Sequence, residues 1–293
     1  MQRGHRVAIL DYGYLEFVEA WGSDEAIVEA ARMSTGKGFL GWGPITKCKK
    51  CGLPPHPHKP EEWHSYVTQE RMLCQHERVT EPGDEKLLRY LWENEHSTPF
   101  EMAGLVIEVQ APIMVFREWH RHRTQSYNEM SARYIPLPDV NYIPTTERLL
   151  INSKTNKQAG TIKGAEELTD MNARLFQEMV GQEYRSQERV YQDGLKHGVP
   201  KELARVHLPV GRYSRMRASA NLLNWLKFLK LRMAPNAQYE IRQYANTLGS
   251  FIAEIFPHTW DLFANGRKKK FLSDFTTDEL AQELADRNER SAE

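Results

Sequence analysis

The chain has 293 residues, enough to bury a sizeable core as one large domain or two small ones. Its 39 basic and 39 acidic side chains balance, which excludes a global field drawing it to nucleic acid or to a membrane surface, so any anion site has to be local. No apolar stretch approaches a membrane span, no apolar signal core follows Met1–Arg6, and three cysteines make an odd count for a secreted disulfide framework, so a soluble cytoplasmic protein is expected.

Residues 6–18 read as a strand or hairpin turning at Tyr12-Gly13. Ser23 is the candidate N-cap of a helix running through Met33. Residues 36–82 change character: they are rich in Gly, Pro, Lys and His and hold all three cysteines, and they read as an inserted lobe. A helix resumes over 84–95 with Leu87, Leu88 and Leu91 on one face. Ala103–Val109 is a β-rich run, and Ala111-Pro112 opens a helix to about Trp119. Residues 121–134 emerge from that helix as a loop, and 152–164 read as a mobile surface loop. Met171, Leu175, Met179 and Tyr184 recur at near-helical spacing in a long amphipathic helix that His197-Gly198 ends. Pro200–Leu208 reads as a short helix, and 218–232 and 237–256 as two more, broken at Ala234-Pro235. From Thr276 a capping box, Thr276-x-x-Glu279, opens a charged tail over 276–293. There is no internal repeat. The expected fold class is α+β: a modest, mostly antiparallel sheet flanked by long helices, one domain over 1–293 with 36–82 inserted.

The densest chemistry lies in Arg121-His122-Arg123-Thr124-Gln125-Ser126-Tyr127-Asn128-Glu129-Met130-Ser131-Ala132-Arg133-Tyr134. Arginine forks bind phosphate or carboxylate bidentately, and serine and asparagine fix a ligand without adding charge. Such a run suits a phosphorylated small molecule rich in hydrogen-bonding groups. Three other blocks are weaker alone. His96-Ser97-Thr98, inside Glu95–Glu101, is an ordinary helix stop, and Glu202 with Arg205, inside Pro200–Pro209, is an ordinary surface ion pair. Asn221–Arg232 with Ala237–Arg242 is mostly core, with Arg232 and Asn221 as the polar exceptions. In the inserted lobe, Cys48-Lys49-Lys50-Cys51-Gly52 is followed by Cys74-Gln75-His76. That set is compatible with a tetrahedral structural zinc on Cys48, Cys51, Cys74 and His76, with His58 or His64 as alternative fourth ligands, and equally with a basic, reduced loop.

The run at 121–134 resembles, residue by residue, the Arg-His-Arg-x-x-Ser-x-Asn-x-x-Ser-x-Arg-Tyr signature of flavin-dependent thymidylate synthases. His96–Glu101 is similar to that family's His-x-Thr-Pro-Phe-Glu block, and Pro200–Pro209 to its Pro-x-Glu-x-Ala-Arg-x-x-Leu-Pro block. The likeness is loose over 6–35, good over 84–263 and absent over 36–82. It implies reductive methylation of dUMP to dTMP. Methylenetetrahydrofolate is the carbon donor and NADPH the reductant acting through FAD. Hydride from the flavin completes the methyl group, with no cysteine nucleophile.

The resemblance implies Ser131, Arg133 and Arg232 as catalytic residues. It implies Arg117, Glu118, Arg121, Glu129 and Ala132 beside them around dUMP, with Arg205. Thr98, Arg121, His122, Arg123, Glu129, Asn221 and Lys227 fall to FAD, and His96 and Tyr134 to the folate side. Guanidinium charge of this kind stabilises a reduced-flavin anion, and a uracil polarised at its carbonyls is electrophilic at C6 and nucleophilic at C5. Leu223, Lys227 and Asn236 stand where family members often carry Arg or His, Asn or His, and His, and Glu118 where Gln is common. The resemblance also implies a homotetramer with shared sites. No Gly-x-Gly-x-x-Gly follows a strand, so no dinucleotide domain of that kind is expected for NADPH. Two other classes remain open from residues alone: a zinc-knuckle protein binding nucleic acid through its arginines, and a metal-dependent nucleotide phosphohydrolase using the histidines.

Overall fold

The computed structural model describes residues 1–49, 78–81, 83–151, 160–162 and 164–265. A five-stranded sheet runs through it in the order β1-β2-β5-β7-β6, every neighbour antiparallel. The strands are β1 (Arg6–Ile9), β2 (Gly13–Trp21), β5 (Gly104–Pro112), β6 (Ser126–Glu129) and β7 (Tyr213–Asn221). A separate two-stranded ladder joins β3 (Ile45–Cys48) to β4 (Arg78–Glu81).

The central strand β5 explains the layering. Leu105, Ile107 and Val109 are fully buried on one face, while Glu108 and Gln110 alternate onto the other. The helices Leu222–Arg232 and Tyr239–Ile255 cover the apolar face with Trp225, Phe228, Leu229, Ile241, Tyr244 and Leu248. Each such side chain contributes roughly 1.5–3 kcal/mol over leaving it exposed. The Trp225 indole also donates to the Leu105 carbonyl at 3.0 Å, so the helix is tied to the sheet by a polar contact as well. On the other face Tyr14 donates to Glu108 at 2.9 Å, and Glu108 pairs with Arg217 at 2.9 Å. In the β1–β2 turn, a side chain on Gly13 would run into the Tyr244 hydroxyl, which donates to the Gln110 carbonyl at 2.8 Å. Only glycine fits there.

Most element expectations hold to within a few residues. Ser23 caps the helix Asp24–Arg32 by accepting from the Ala26 amide, and the long helix spans Asp170–Lys196 and ends at His197 with Gly198 at φ 81°. Two expectations do not hold. Residues 218–221, expected to be helical, complete β7; helix begins at Leu222, where the Asn221 side chain accepts from the Asn224 amide at 2.9 Å. Residues 126–129, expected in a loop, form the edge strand β6 paired from Ser126↔Ser219 to Glu129↔Met216. The reason is the same in both places. Arg215, Met216, Arg217, Ala218, Ser219 and Ala220 alternate exposed and shielded with period two, and that ladder captures 126–129 as its partner. The helix within Pro200–Leu208 is shorter than expected, covering Lys201–Ala204.

Cys51, Cys74 and His76, the charged tail and most of 152–164 lie outside the described residues; of the zinc expectation only the backbone of Cys48, at the end of β3, is described. Among the described residues no cluster of three metal-binding side chains occurs. Also among them, no helix is long and apolar enough to cross a membrane.

Candidate functional site

The signature is carried out of the core by Trp119, the last residue of the helix Ile113–Trp119. Its ring is fully buried, 4.6 Å from Phe228 and edge-on to Trp225 and Tyr244. Its indole donates to Gln125 Oε1 at 3.0 Å, which fixes the turn that follows. Tyr127 locks the same turn from the other side, donating to the carbonyls of His122 (2.6 Å) and Trp119 (3.3 Å). Burial pushes the Tyr127 phenol up to about 12, so it stays protonated as a donor. Arg121 and Arg123 project into solvent on either side of the inward-facing His122.

His122 meets Arg232 at the end of the helix Leu222–Arg232. Arg232 Nε donates to His122 Nε2 at 2.9 Å, Nη1 to Glu118 Oε2 at 2.7 Å, and Nη2 to the Glu118 carbonyl at 3.0 Å. A guanidinium only donates, so His122 Nε2 must accept. The imidazole is therefore neutral, with its proton on Nδ1. Burial, with the Arg232 charge second, pulls its pKa down to about 4. Glu118, which stands where Gln is common in the family, is thus ion-paired with Arg232. The short turn Ser97–Phe100 packs against this same helix and carries Thr98 exposed; His96, just before the turn, lies edge-on to Tyr90 at 5.6 Å. Asn221 and Lys227 sit on the helix, Asn221 as its cap and Lys227 exposed.

The second half of the signature forms a separate cluster. Glu129 Oε1 accepts from Ser214 Oγ at 2.8 Å across the β6–β7 ladder. Ser131 opens a tight turn: its carbonyl accepts from Tyr134 at 3.0 Å and its hydroxyl from the Arg133 amide at 3.3 Å. Ala132 is buried beneath it. Arg133 pairs with Glu202 at 3.2 Å, and Lys201 donates to the Tyr134 carbonyl at 2.9 Å. Arg133, Tyr134, Pro136, Leu195, Val199 and Lys201 line an open cleft of about 580 Å³, with Arg205 exposed at the end of the same short helix. Arg117 is exposed on the helix that leads into the signature.

Sequence reasoning named candidate binding residues in the signature but missed the residues that hold its turn: Trp119, Gln125 and Tyr127. Gln125 and Tyr127 occupy variable positions of the signature, and only an aromatic at a helix end followed by an amide six residues on hinted at the lock.

Together these features define an α+β scaffold that carries arginines around its edge strand β6 and the end of the helix Leu222–Arg232. The thymidylate synthase complementing protein family matches residues 16–258, and the chain belongs to that family. It is 36% identical over 257 residues to the flavin-dependent thymidylate synthase of Thermus thermophilus, covering 88% of this chain and 77% of that one. It is 33% identical over 255 residues to the flavin-dependent thymidylate synthase of Thermosipho africanus, covering 87% and 92%. Among solved structures it is similar to a UMP/dUMP methylase, PolB, of Streptomyces cacaoi bound with 5-Br dUMP. The TM-score is 0.63 at 27% identity, covering 88% of this chain and 97% of that one.

Proposed function

We propose that this chain is a flavin-dependent thymidylate synthase that methylates dUMP to dTMP, with methylenetetrahydrofolate as carbon donor and NADPH as reductant through FAD. The observation that carries the reading is the junction of the signature with the helix Leu222–Arg232, where Arg232, Glu118 and a neutral His122 meet. The family and its relatives' names support the same reaction and lend nothing to the nucleic-acid alternative.

The donor set fits the groups it would hold. Exposed Arg121, Arg123 and Lys227 offer positive charge to the FAD pyrophosphate, and His122, with its free Nδ1–H, offers a neutral donor beside them. Asn221 and Thr98 border the same helix. When bound and reduced, FAD supplies the hydride that completes the methyl group. The chain's own part is to bind and polarise the pyrimidine. Arg133, Arg205 and Arg232 would hold the phosphate, with Arg117 and Arg121 adding charge around it. Ser131, Ala132 and Glu129 would fix the base, and donors at its carbonyls draw electron density from C6. His96 and Tyr134 would face the folate. The test is tritium release from dUMP labelled at C5, with FAD, NADPH and methylenetetrahydrofolate omitted in turn. Release that needs all three is expected, and release independent of flavin would overturn the reading.

The site residues fall into two clusters within one chain, and the long helix Asp170–Lys196 leaves Met171, Leu175 and Met179 exposed along one stripe. Both features support a homotetramer with shared sites, in which a second copy covers that stripe. Light scattering should give a tetramer for the parent chain and a smaller species for Leu175→Glu/Met179→Glu; an unchanged mass would remove the proposal. Structural zinc on Cys48, Cys51, Cys74 and His76 stands as a separate proposal, to be decided by metal analysis of freshly purified protein.

A further inference from the structure

Arg212 stands just ahead of β7 and is fully buried. A buried guanidinium has to be paired, and this one is shared between two parts of the chain. Nη1 donates to Glu188 Oε2 at 2.6 Å on the long helix Asp170–Lys196, and to Asp139 Oδ1 at 3.2 Å. Nη2 donates to the Leu137 carbonyl at 3.2 Å. Leu137 and Asp139 belong to the stretch that leaves the signature just after Tyr134. The backbone here holds the other end of the same segment. The Ile113 amide donates to the Arg212 carbonyl and the Met114 amide to the Val210 carbonyl, both at 2.9 Å, where the helix leading into the signature begins. Main-chain bonds from Tyr213 to the Val140 carbonyl (3.0 Å) and from Tyr142 to that of Gly211 (2.9 Å) fix residues 140–142. The Arg212 fork reaches past them to 137–139.

The turn Ser131–Tyr134 therefore hangs between two anchors. Upstream, the Met130 amide donates to the Arg215 carbonyl at 2.7 Å. Downstream, the Arg212 side chain ties Leu137 and Asp139 to Glu188. Between the anchors Arg133 and Tyr134 are exposed, so little packing fixes them. We propose that Arg212 is a positioning residue for nucleotide binding: its fork holds 137–139 against the long helix and thereby sets where Ser131 and Arg133 stand. The proposal rests on the reading above that this cluster holds dUMP. An apolar side chain of similar volume would fill the same space, but it has no donor for the Leu137 carbonyl or for Asp139. The residues assigned to FAD in the first half of the signature, Arg121, His122 and Arg123, follow a different lock, made by Trp119, Gln125 and Tyr127. Loosening the Arg212 anchor should therefore reach the nucleotide and spare the flavin.

The test compares the parent with Arg212→Lys, which keeps a cation opposite Glu188, and with Arg212→Met/Glu188→Leu, which removes the buried pair as a unit and strands no charge. Each is measured by thermal melting, by FAD titration and by dUMP titration of the FAD-loaded protein. The double variant is expected to melt near the parent, to bind FAD as the parent does and to bind dUMP roughly ten- to a hundredfold more weakly. Arg212→Lys should recover part of that loss, because an ammonium still donates but lacks the planar fork. In turnover, KM for dUMP should rise by a larger factor than kcat falls. Parent-like dUMP affinity in a folded variant overturns the proposal. So does a loss of FAD and dUMP affinity together, or failure of both variants to fold, since either would make Arg212 a support of the whole scaffold. Arg133→Ala separates this proposal from the reading beneath it. If Arg133→Ala loses dUMP affinity while the Arg212 variants keep theirs, only the role of Arg212 falls. If Arg133→Ala binds dUMP as the parent does, the assignment of the nucleotide cluster falls and takes the proposal with it.

Discussion

Replacing Trp119 by Phe tests whether the signature is held by the core or merely follows it. The substitution keeps an aromatic ring against Phe228 but removes the indole N–H that Gln125 accepts at 3.0 Å. Gln125 is 9% exposed and its Nε2 is already buried without a partner among the described residues, so its amide would be left with neither end satisfied. Stranding that buried oxygen costs about 1–3 kcal/mol. The loss of ~40 Å³ of side chain from a fully buried site adds about 1 kcal/mol of cavity cost at ~24 cal/mol per Å³. The expected destabilisation is therefore about 2–4 kcal/mol, measured by denaturant unfolding at fixed protein concentration. A double-mutant cycle with Gln125→Leu isolates the lock, because Trp119→Phe should cost at least ~1 kcal/mol less once Gln125 is gone. Flavin affinity should fall in Trp119→Phe, as the turn carrying Arg121, His122 and Arg123 loosens. Additivity of the two substitutions within about 0.5 kcal/mol would refute the idea that Trp119 and Gln125 act as one unit.

Other consequences are simpler. The Arg133–Glu202 pair is 62% and 54% exposed, which makes it worth at most about 1 kcal/mol to the fold. Arg133→Ala should therefore melt like the parent while binding dUMP about 2–4 kcal/mol more weakly by calorimetry; normal dUMP binding would remove Arg133 from the site. His122 has its folded pKa depressed to about 4, below the roughly 6.5 of the unfolded chain, so the unfolded state takes up its proton first. Its contribution to stability is present above about 6.5 and is lost as pH falls towards 4. Unfolding midpoints measured across that window should decline less in His122→Gln than in the parent. Glu240, buried on the helix Tyr239–Ile255, accepts from Tyr142 (3.0 Å), Arg148 (2.8 Å) and Gln238 (2.8 Å). Glu240→Ala leaves Arg148 without its carboxylate and should cost about 3–5 kcal/mol by denaturant unfolding, while Glu240→Gln recovers part of it.

The sequence was most legible where one rule acted alone. Ser23 before Asp24-Glu25 marks a helix start by capping chemistry, and the hairpin turn before Gly13 needs only local signals. The α+β class followed from the same local patterns. What escaped was decided by partners far along the chain. β7 was hidden because its last residue, Asn221, caps the helix Leu222–Arg232, so that a helical periodicity bled backwards into a strand. β6 is short and polar, and nothing within 126–129 specifies a strand; β7 supplies the ladder. The candidate binding residues were visible as residue types, while their pairings within the chain were not. The Arg232–Glu118 contact joins positions 114 apart, and helical spacing around either one points only to its neighbours. The stripe of Met171, Leu175 and Met179 shows the converse: its periodicity was clear, but whether the core or another copy covers it is not written in the spacing.

The ladder of Ile45–Cys48 with Arg78–Glu81 bears on how such a chain tolerates length change. Its two strands bring the chain back to where it left. Just inside them Asp84 binds Arg32 and accepts from the Leu40 amide at 2.7 Å, and Glu85 accepts from the Gly43 amide. Like a drawstring, these contacts close the neck before the chain reaches the catalytic scaffold. For a stretch entering and leaving through one closed neck, the entropic cost of closure grows only slowly with its length. A change in chain length between Cys48 and Arg78 is therefore expected to cost the sheet and helices beneath little, which makes that neck a natural port for grafting a foreign module.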